Sequence, residues 1–418
     1  MPVALILADA VRRLEPGSTV YVPGTSGESA PLVAALKADS AACADVRFTG
    51  VWLPGVNRVD YGDIHPAARA SGFFVAPEYR TSFAAGRFAY HPIPYSAIPQ
   101  WFARRGIDVA FLHLSPPDTD GLCSVGTAAD FTTIAAAAAK VRIGLINPQM
   151  PRSRGPAIPY DSLDMVVALD VPLHEVGSRA GTDPATVAIA EEVARWVRDG
   201  DTLEIGLGAL PTAILQAITL RRNLRFFSGM ISEPVAKLID AGAIADDDAA
   251  IVAGVAFGDN AFAHRIAKNH RVRFAAVTET HNAATLAAIP NFVAINSALS
   301  VDLLGQCNAE MLGPRQVSGT GGLTDFIRGA QASRGGRAIV ALPATAKDGQ
   351  LTRIIPAHAG GSVISNPRGD APIVVTEYGS ADLRALDIDA RAAALTNIAA
   401  PKFRDELTDA WKEMRKAM

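Results

Sequence analysis

Neither sign of charge dominates this chain of 418 residues: 39 Lys and Arg stand against 42 Asp and Glu, a formal net charge of -3. Without a basic stripe there is no electrostatic footprint for nucleic acid, and without a charge block there is no charged tail. Cysteine is scarce as well. Cys43, Cys123 and Cys307 are odd in number and far apart, so neither a disulfide framework nor a zinc site is suggested, no metal is expected, and a reducing cytoplasm is the expected compartment. No apolar run has the length of a membrane span; Ala135–Ala139 is too short and reads as helix. The opening stretch, Met1 to Val22, has no basic segment ahead of its apolar positions and no small-residue cleavage site, and those positions fit a first helix. What is present, 49% apolar and 19% charged residues, is ordinary for a globular protein long enough for two or three domains. The expected partner is a small molecule.

The rhythm is that of an α/β protein. Strands are expected at Ser18–Val22, Val46–Trp52, Gly72–Val75, Val109–Leu114 and Val141–Ile146, with a helix over Pro31–Lys37. Between Ala180 and Thr186 the composition turns polar, and Val187–Arg198 then has a helical period. A domain boundary is expected there, dividing the chain into 1–183 and 184–418. The second part repeats the rhythm, with strands expected near Ala249–Val252, Val272–Val277, Val293–Ile295, Ala338–Ala341, Ser362–Ile364 and Ile373–Val375. Two open α/β domains of similar character imply a ligand crevice between them.

One stretch organises the rest. Thr202–Ile205 reads as a strand, Gly206-Leu207-Gly208-Ala209-Leu210-Pro211 as a glycine-rich bend, and Thr212–Ala217 as the start of a helix. Amides at a helix N-terminus, with no side chain at Gly206 or Gly208 to hold a ligand off, suit a phosphate, a carboxylate or an oxyanion. A bend of this kind also serves simply to pack a helix on a strand. A dinucleotide fingerprint is a poor fit, because the third glycine is absent at its spacing and Pro211 interrupts the pattern. The next strand, Leu224–Phe227, ends in Ser228-Gly229-Met230, and Ser115-Pro116-Pro117-Asp118 is a second turn-rich loop at a strand end.

Further motifs name a family. They are Ile295-Asn296-Ser297-Ala298, Val301 to Gln306, Gln316 to Phe326 with Gly319, Gly321 and Gly322, Ala344-Thr345-Ala346-Lys347, Thr376-Glu377-Tyr378-Gly379 and Asn397 to Arg404. With Ser115–Asp118, Asn147-Pro148-Gln149-Met150-Pro151-Arg152 and the bend at Gly206, they run through nearly the whole chain in order and resemble the acetyl-CoA hydrolase/transferase family, nearest its 4-hydroxybutyrate CoA-transferase branch. The resemblance implies two open α/β domains of the class I CoA-transferase type, a homo-oligomer, and coenzyme A as substrate, bound at the domain junction. Acyl-CoA and a carboxylic acid are the implied partners. It places Gly206, Leu207, Gly208, Ala209 and Leu210 on CoA, with Gly319, Gly321 and Gly322 near the pantetheine arm and Lys347 at a CoA phosphate. In the family a glutamate carboxylate attacks the thioester to give an anhydride, then a glutamyl-CoA thioester that a second carboxylate consumes.

At the position that matches the nucleophile, in Phe227-Ser228-Gly229-Met230, this chain has Gly229. Glu28, in Ser26-Gly27-Glu28, and the pair Glu279 and His281 are the candidate replacements, the pair being able to activate water if the segment is extended there. Gly229 also suggests extra room for an acyl chain beside Phe226, Phe227 and Met230. Two functions follow: CoA transfer or acyl-CoA hydrolysis, or a catalytically silent CoA-binding relative acting as a sensor or oligomer partner.

Overall fold

The structure is a computed structural model that describes residues 1–177 and 181–418, so Ala180, the first residue of the polar stretch, lies outside it. By mutual contacts the chain forms two compact units; the first takes Met1–Gly177, Asp247–Thr280 and Val317–Gly321, and the second the rest of the described chain.

The first unit is built on eight parallel strands in the order Val3–Leu5, Met165–Ala168, Ala139–Ile146, Ile107–Leu114, Thr19–Tyr21, Arg47–Thr49, Arg69–Gly72 and Phe88–Tyr90. A core of Val20, Val22, Phe48, Trp52, Phe111, Ile143 and Leu145 fills it. The expected first helix is Leu7–Arg12, and the apolar residues ahead of it, Val3–Leu5, form a strand instead. Pairing with Met165–Ala168 decides the strand, Val3 lying opposite Met165, a distant partner that local periodicity does not reveal. The later segment supplies a parallel pair, Ile251–Phe257 and Val272–Phe274, bound to the loop at Thr127 through Ala129 N–H to Gly254 O (2.9 Å) and Ala256 N–H to Thr127 O (3.0 Å). The strand expected to run from Val272 to Val277 stops at Phe274, and Val277–Thr280 is a helical turn.

In the second unit the order is Arg225–Ser232, Thr202–Ile205, Phe292–Ser297, Arg337–Ala341, Ile373–Thr376 and Gly379–Asp382, parallel except for the last hairpin. Every residue of Thr202–Ile205 is buried, as both faces of a parallel sheet are when helices cover it. The helix Pro184–Trp196 packs against the Arg337 and Ile373 strands, and Leu323–Ala332 against the Phe292 and Arg337 strands. Asp183 caps the former, accepting from the Thr186 amide, with Pro184 at the first helical position. Ser362–Ile364 is not a strand; behind Gly360 and Gly361 it closes a turn from Ser362 N–H to Ala359 O. Among the described residues no helix is long and apolar enough to cross a membrane.

Candidate active site

The strand Thr202–Ile205, flanked by Arg225–Ser232 and Phe292–Ser297, runs straight into the glycine bend. Gly208 has φ 128°, a backbone conformation that strains any residue with a Cβ, and its carbonyl accepts from Thr212 N–H at 3.1 Å. The helix therefore begins at Ala209, three residues earlier than the expected Thr212, and ends at Ala217. Pro211 interrupts nothing, because the first turn of a helix has no use for its missing N–H. Gly208 and Ala209 are exposed, Gly206, Leu207 and Leu210 half-buried, and a Cβ built on Gly206 meets nothing within 4 Å. The amides of this first turn have no intrahelical acceptor and carry the positive end of the helix dipole.

Beside it, the strand Arg225–Ser232 passes through Gly229 instead of ending before it. Thr202 lies opposite Arg225 and Leu203 opposite Phe226. Carried forward three positions from Leu203 and Phe226, that register sets Gly229 level with Gly206 and on the same face as Glu204 and Phe227. The space in front of Gly229 is not open. A Cβ there would stand 2.9 Å from His281 Cε1, and one on Gly322 would stand 2.7 Å from His281 Nε2. The imidazole is thus wedged between two glycines, with Phe326 at a ring separation of 4.5 Å. The expected extra room for an acyl chain at Gly229 is taken by this ring. His281 is 4% exposed, and burial lowers its pKa to about 3, so it is a neutral and weakly basic ring at pH 7.

Glu279 belongs to the first unit and has another commitment. It sits in the helical turn Val277–Thr280 rather than on an extended segment, and both of its oxygens meet the Arg273 guanidinium, Oε2 at 3.0 Å from Nη1. The extended geometry that would align Glu279 with His281 is therefore absent.

Sequence reasoning passed over Glu204. It is 3% exposed in the middle of the buried Thr202–Ile205 strand, and its Oε2 accepts from Asn296 Nδ2 at 2.7 Å, Asn296 being on the neighbouring strand Phe292–Ser297. Burial pushes its pKa up to about 8. The signal was a lone carboxylate inside an apolar strand two residues before a glycine bend.

In the first unit Glu28 follows the short turn Thr25–Gly27 at the end of the Thr19–Tyr21 strand. It is 8% exposed; Asn57 Nδ2 donates to it at 3.2 Å and His174 Nδ1 lies at 3.9 Å. Burial raises its pKa, and His174 and Asn57 oppose the rise. Asn57 also binds the Thr25 and Leu53 amides, both at 3.0 Å, so Glu28 stands on a rigid loop. Gly319 is required by close approach: its Cβ would fall 2.1 Å from the Phe73 carbonyl oxygen. Gly321 has φ 56°, and its carbonyl accepts from Tyr95 N–H at 3.0 Å. The two loop motifs clasp each other, Arg152 binding Asp118 (2.9 Å) and the carbonyls of Pro116 and Leu122 (2.7 and 2.8 Å). Back in the second unit, Lys347 is exposed at the tip of the hairpin formed by Thr345–Ala346 and Leu351–Thr352, with φ 49°.

Two parallel-sheet units, a glycine bend opening a helix at a strand end and loop motifs in this order define a class. The acetyl-CoA hydrolase/transferase N-terminal domain matches residues 7–172 and its C-terminal domain residues 258–411, and the chain belongs to that family. It is 35% identical over 412 residues to a 4-hydroxybutyrate coenzyme A transferase of Clostridium kluyveri, covering 97% of this chain and 96% of that one. Among solved structures it resembles RipA from Yersinia pestis (TM-score 0.90, 29% identity, 99% and 97% of the two chains). It also resembles a 4-hydroxybutyrate CoA-transferase from Porphyromonas gingivalis (TM-score 0.79, 27% identity, 99% and 98%).

Proposed function

We propose that this chain acts on acyl-CoA thioesters, either passing CoA to a carboxylic acid or releasing it to water. The observation that carries the reading is the exposed helix start at Gly208 and Ala209, just after the buried strand Thr202–Ile205, in a chain whose family is defined by this chemistry. Amides aimed from such a bend suit the developing thioester oxyanion, and the long CoA moiety supplies remote binding energy for positioning the reacting carbonyl. Gly206 to Leu210 are assigned to CoA, with Gly319, Gly321, Gly322 and Lys347 as its further contacts. Three buried, unpaired cysteines suit a reducing cytoplasm, and a homo-oligomer is the assembly proposed.

Gly229 stands where the family resemblance places the nucleophilic glutamate. Of the candidate replacements, Glu28 has a raised pKa and a carboxyl held by Asn57, Glu279 is held by Arg273, and His281 is a weak base. The wedged His281 also favours the second reading, a silent CoA-binding relative, because it fills the place a side chain at 229 would occupy.

Mixing the protein with a panel of acyl-CoAs, with acetate as acceptor, and following free CoA, exchanged acyl-CoA and intact mass tests this. Exchange with a CoA adduct that hydroxylamine removes means transfer through a protein carboxylate. Free CoA without an adduct means hydrolysis by water. CoA binding with neither means the silent relative, and no CoA binding at all refutes the proposal.

A further inference from the structure

At one end of the first unit's sheet the strands open on a row of polar and charged residues in register. Lys140 stands level with Asp108, Asp108 with Thr19, Thr19 with Arg47, Arg47 with Arg69, and Arg69 with Arg87, just ahead of the Phe88–Tyr90 strand. Residues level with each other in a parallel sheet share a face, and neighbouring strands are about 4.8 Å apart.

The ends of this row are neutralised. Asp108 accepts from Lys140 Nζ and from the Thr19 amide, both at 2.8 Å. Arg87 pairs with Asp63, and its Nε donates to the Gly62 carbonyl at 2.9 Å. The middle is not neutralised. Arg47 and Arg69 face each other as like charges, and neither side chain has an ion pair or a hydrogen bond among the described residues. Arg105, in the last turn of the helix Ile98–Arg105, is likewise without one. These three guanidinium groups border one cavity of about 150 Å³, whose lining includes Thr19, Ser71 and the half-buried Trp101 and, among the described residues, no carboxylate. Trp101 is fixed there by Phe73, edge-on at 5.3 Å, and by His91 at 4.8 Å.

A solitary surface arginine needs no explanation, and Arg105 gains from the negative end of its own helix. Neither point accounts for Arg47 and Arg69. Like charges directly opposite each other on paired strands cost stability, and both residues are exposed, so a neutral polar residue at either place would remove that cost without touching the core. An anion with several acceptor oxygens removes it too, because the fork of a guanidinium group matches phosphate oxygens.

We propose that this cavity is an anion site for the phosphate or diphosphate end of a small metabolite, held by Arg47, Arg69 and Arg105 with the Ser71 hydroxyl as a further donor. The volume suits a phosphate group rather than a whole nucleotide, so the remainder of the metabolite lies outside, past Trp101. The site stands apart from the acyl-CoA reading above and holds whether or not the chain turns over acyl-CoA.

The test titrates the full chain with pyrophosphate by calorimetry and by tryptophan fluorescence, at constant ionic strength set with chloride so that screening does not change. Arg47→Gln, Arg69→Gln and Arg105→Gln are compared with the parent, Arg13→Gln serves as a control for loss of surface charge, and Trp101→Phe identifies the reporting ring. The expected result is a single site in the parent, a higher melting temperature with pyrophosphate, and a Kd at least about tenfold weaker in each of the three cavity variants but unchanged in Arg13→Gln. The fluorescence change should vanish in Trp101→Phe. Without pyrophosphate, Arg47→Gln and Arg69→Gln should melt no lower than the parent, since each removes a repulsion.

Inorganic phosphate, ADP, CoA and dephospho-CoA then compete with pyrophosphate. Displacement by inorganic phosphate alone identifies free phosphate as the source, by ADP a diphosphate end, and by CoA but not dephospho-CoA the 3′-phosphate of that molecule. No pyrophosphate binding by the parent overturns the proposal. So does binding that the three cavity variants leave unchanged, or that Arg13→Gln weakens equally. A clear loss of stability in Arg47→Gln and Arg69→Gln without pyrophosphate overturns the repulsion on which the argument stands.

Discussion

Replacing Glu204 by Gln tests whether burial holds this carboxyl protonated in the folded chain. Burial raises the Glu204 pKa from its ordinary 4.5 to about 8 in the folded chain. Between those values the folded protein keeps a proton that the unfolded chain releases, so stability is full below pH 4.5 and falls as pH rises towards 8. A difference of 8 − 4.5, at 1.36 kcal/mol for each pKa unit, corresponds to a loss of about 5 kcal/mol by pH 9. Glu204→Gln keeps the shape and the Asn296 hydrogen bond but has no proton to lose. His281 remains uncharged across this range. Urea denaturation of parent and variant at pH 5, 7 and 9, followed by circular dichroism, is the assay. The two are expected to be nearly equal at pH 5, and the variant more stable by several kcal/mol at pH 9. Stability differences that do not change with pH would refute the reasoning, as they would mean that Glu204 is ionised or solvated throughout.

His281 gives the reverse pH dependence. With its pKa lowered to about 3, the folded chain releases a proton that the unfolded chain keeps between pH 3 and 6.5, so stability is full above pH 6.5 and falls by about 5 kcal/mol towards pH 3; His281→Gln should lack that acid component in a pH series of thermal melts. Gly229→Ala is expected to destabilise by about 1–3 kcal/mol, because its methyl group meets His281 at 2.9 Å, and a double-mutant cycle with His281→Ala should show coupling. Denaturation showing additive effects for that pair would remove the wedge from the account. Gly319→Ala forces a methyl group to within 2.1 Å of the Phe73 carbonyl, and a drop of at least about 2 kcal/mol in unfolding free energy is expected.

The α/β alternation, the strand Thr202–Ile205, the glycine bend and the family were legible in the sequence, because each depends on residues close together in the chain. Apolar run, turn residue and helix period are local, and the ordered motifs add up over the full length. What the tertiary structure alone decided depends on neighbours far apart in sequence. The opening residues form a strand because Met165–Ala168 lies beside them. His281 is wedged rather than poised because Gly229 and Gly322, from two distant segments, close on its ring. Glu279 is an ion-pair partner because the chain turns helical at Val277 and brings it to Arg273. Glu204 was visible as a letter in a strand, yet its raised pKa comes from burial within a parallel sheet, where Asn296 and the Ile295 backbone are its hydrogen-bond partners. Burial is set by packing between remote elements, and a carboxyl group's chemistry follows its burial.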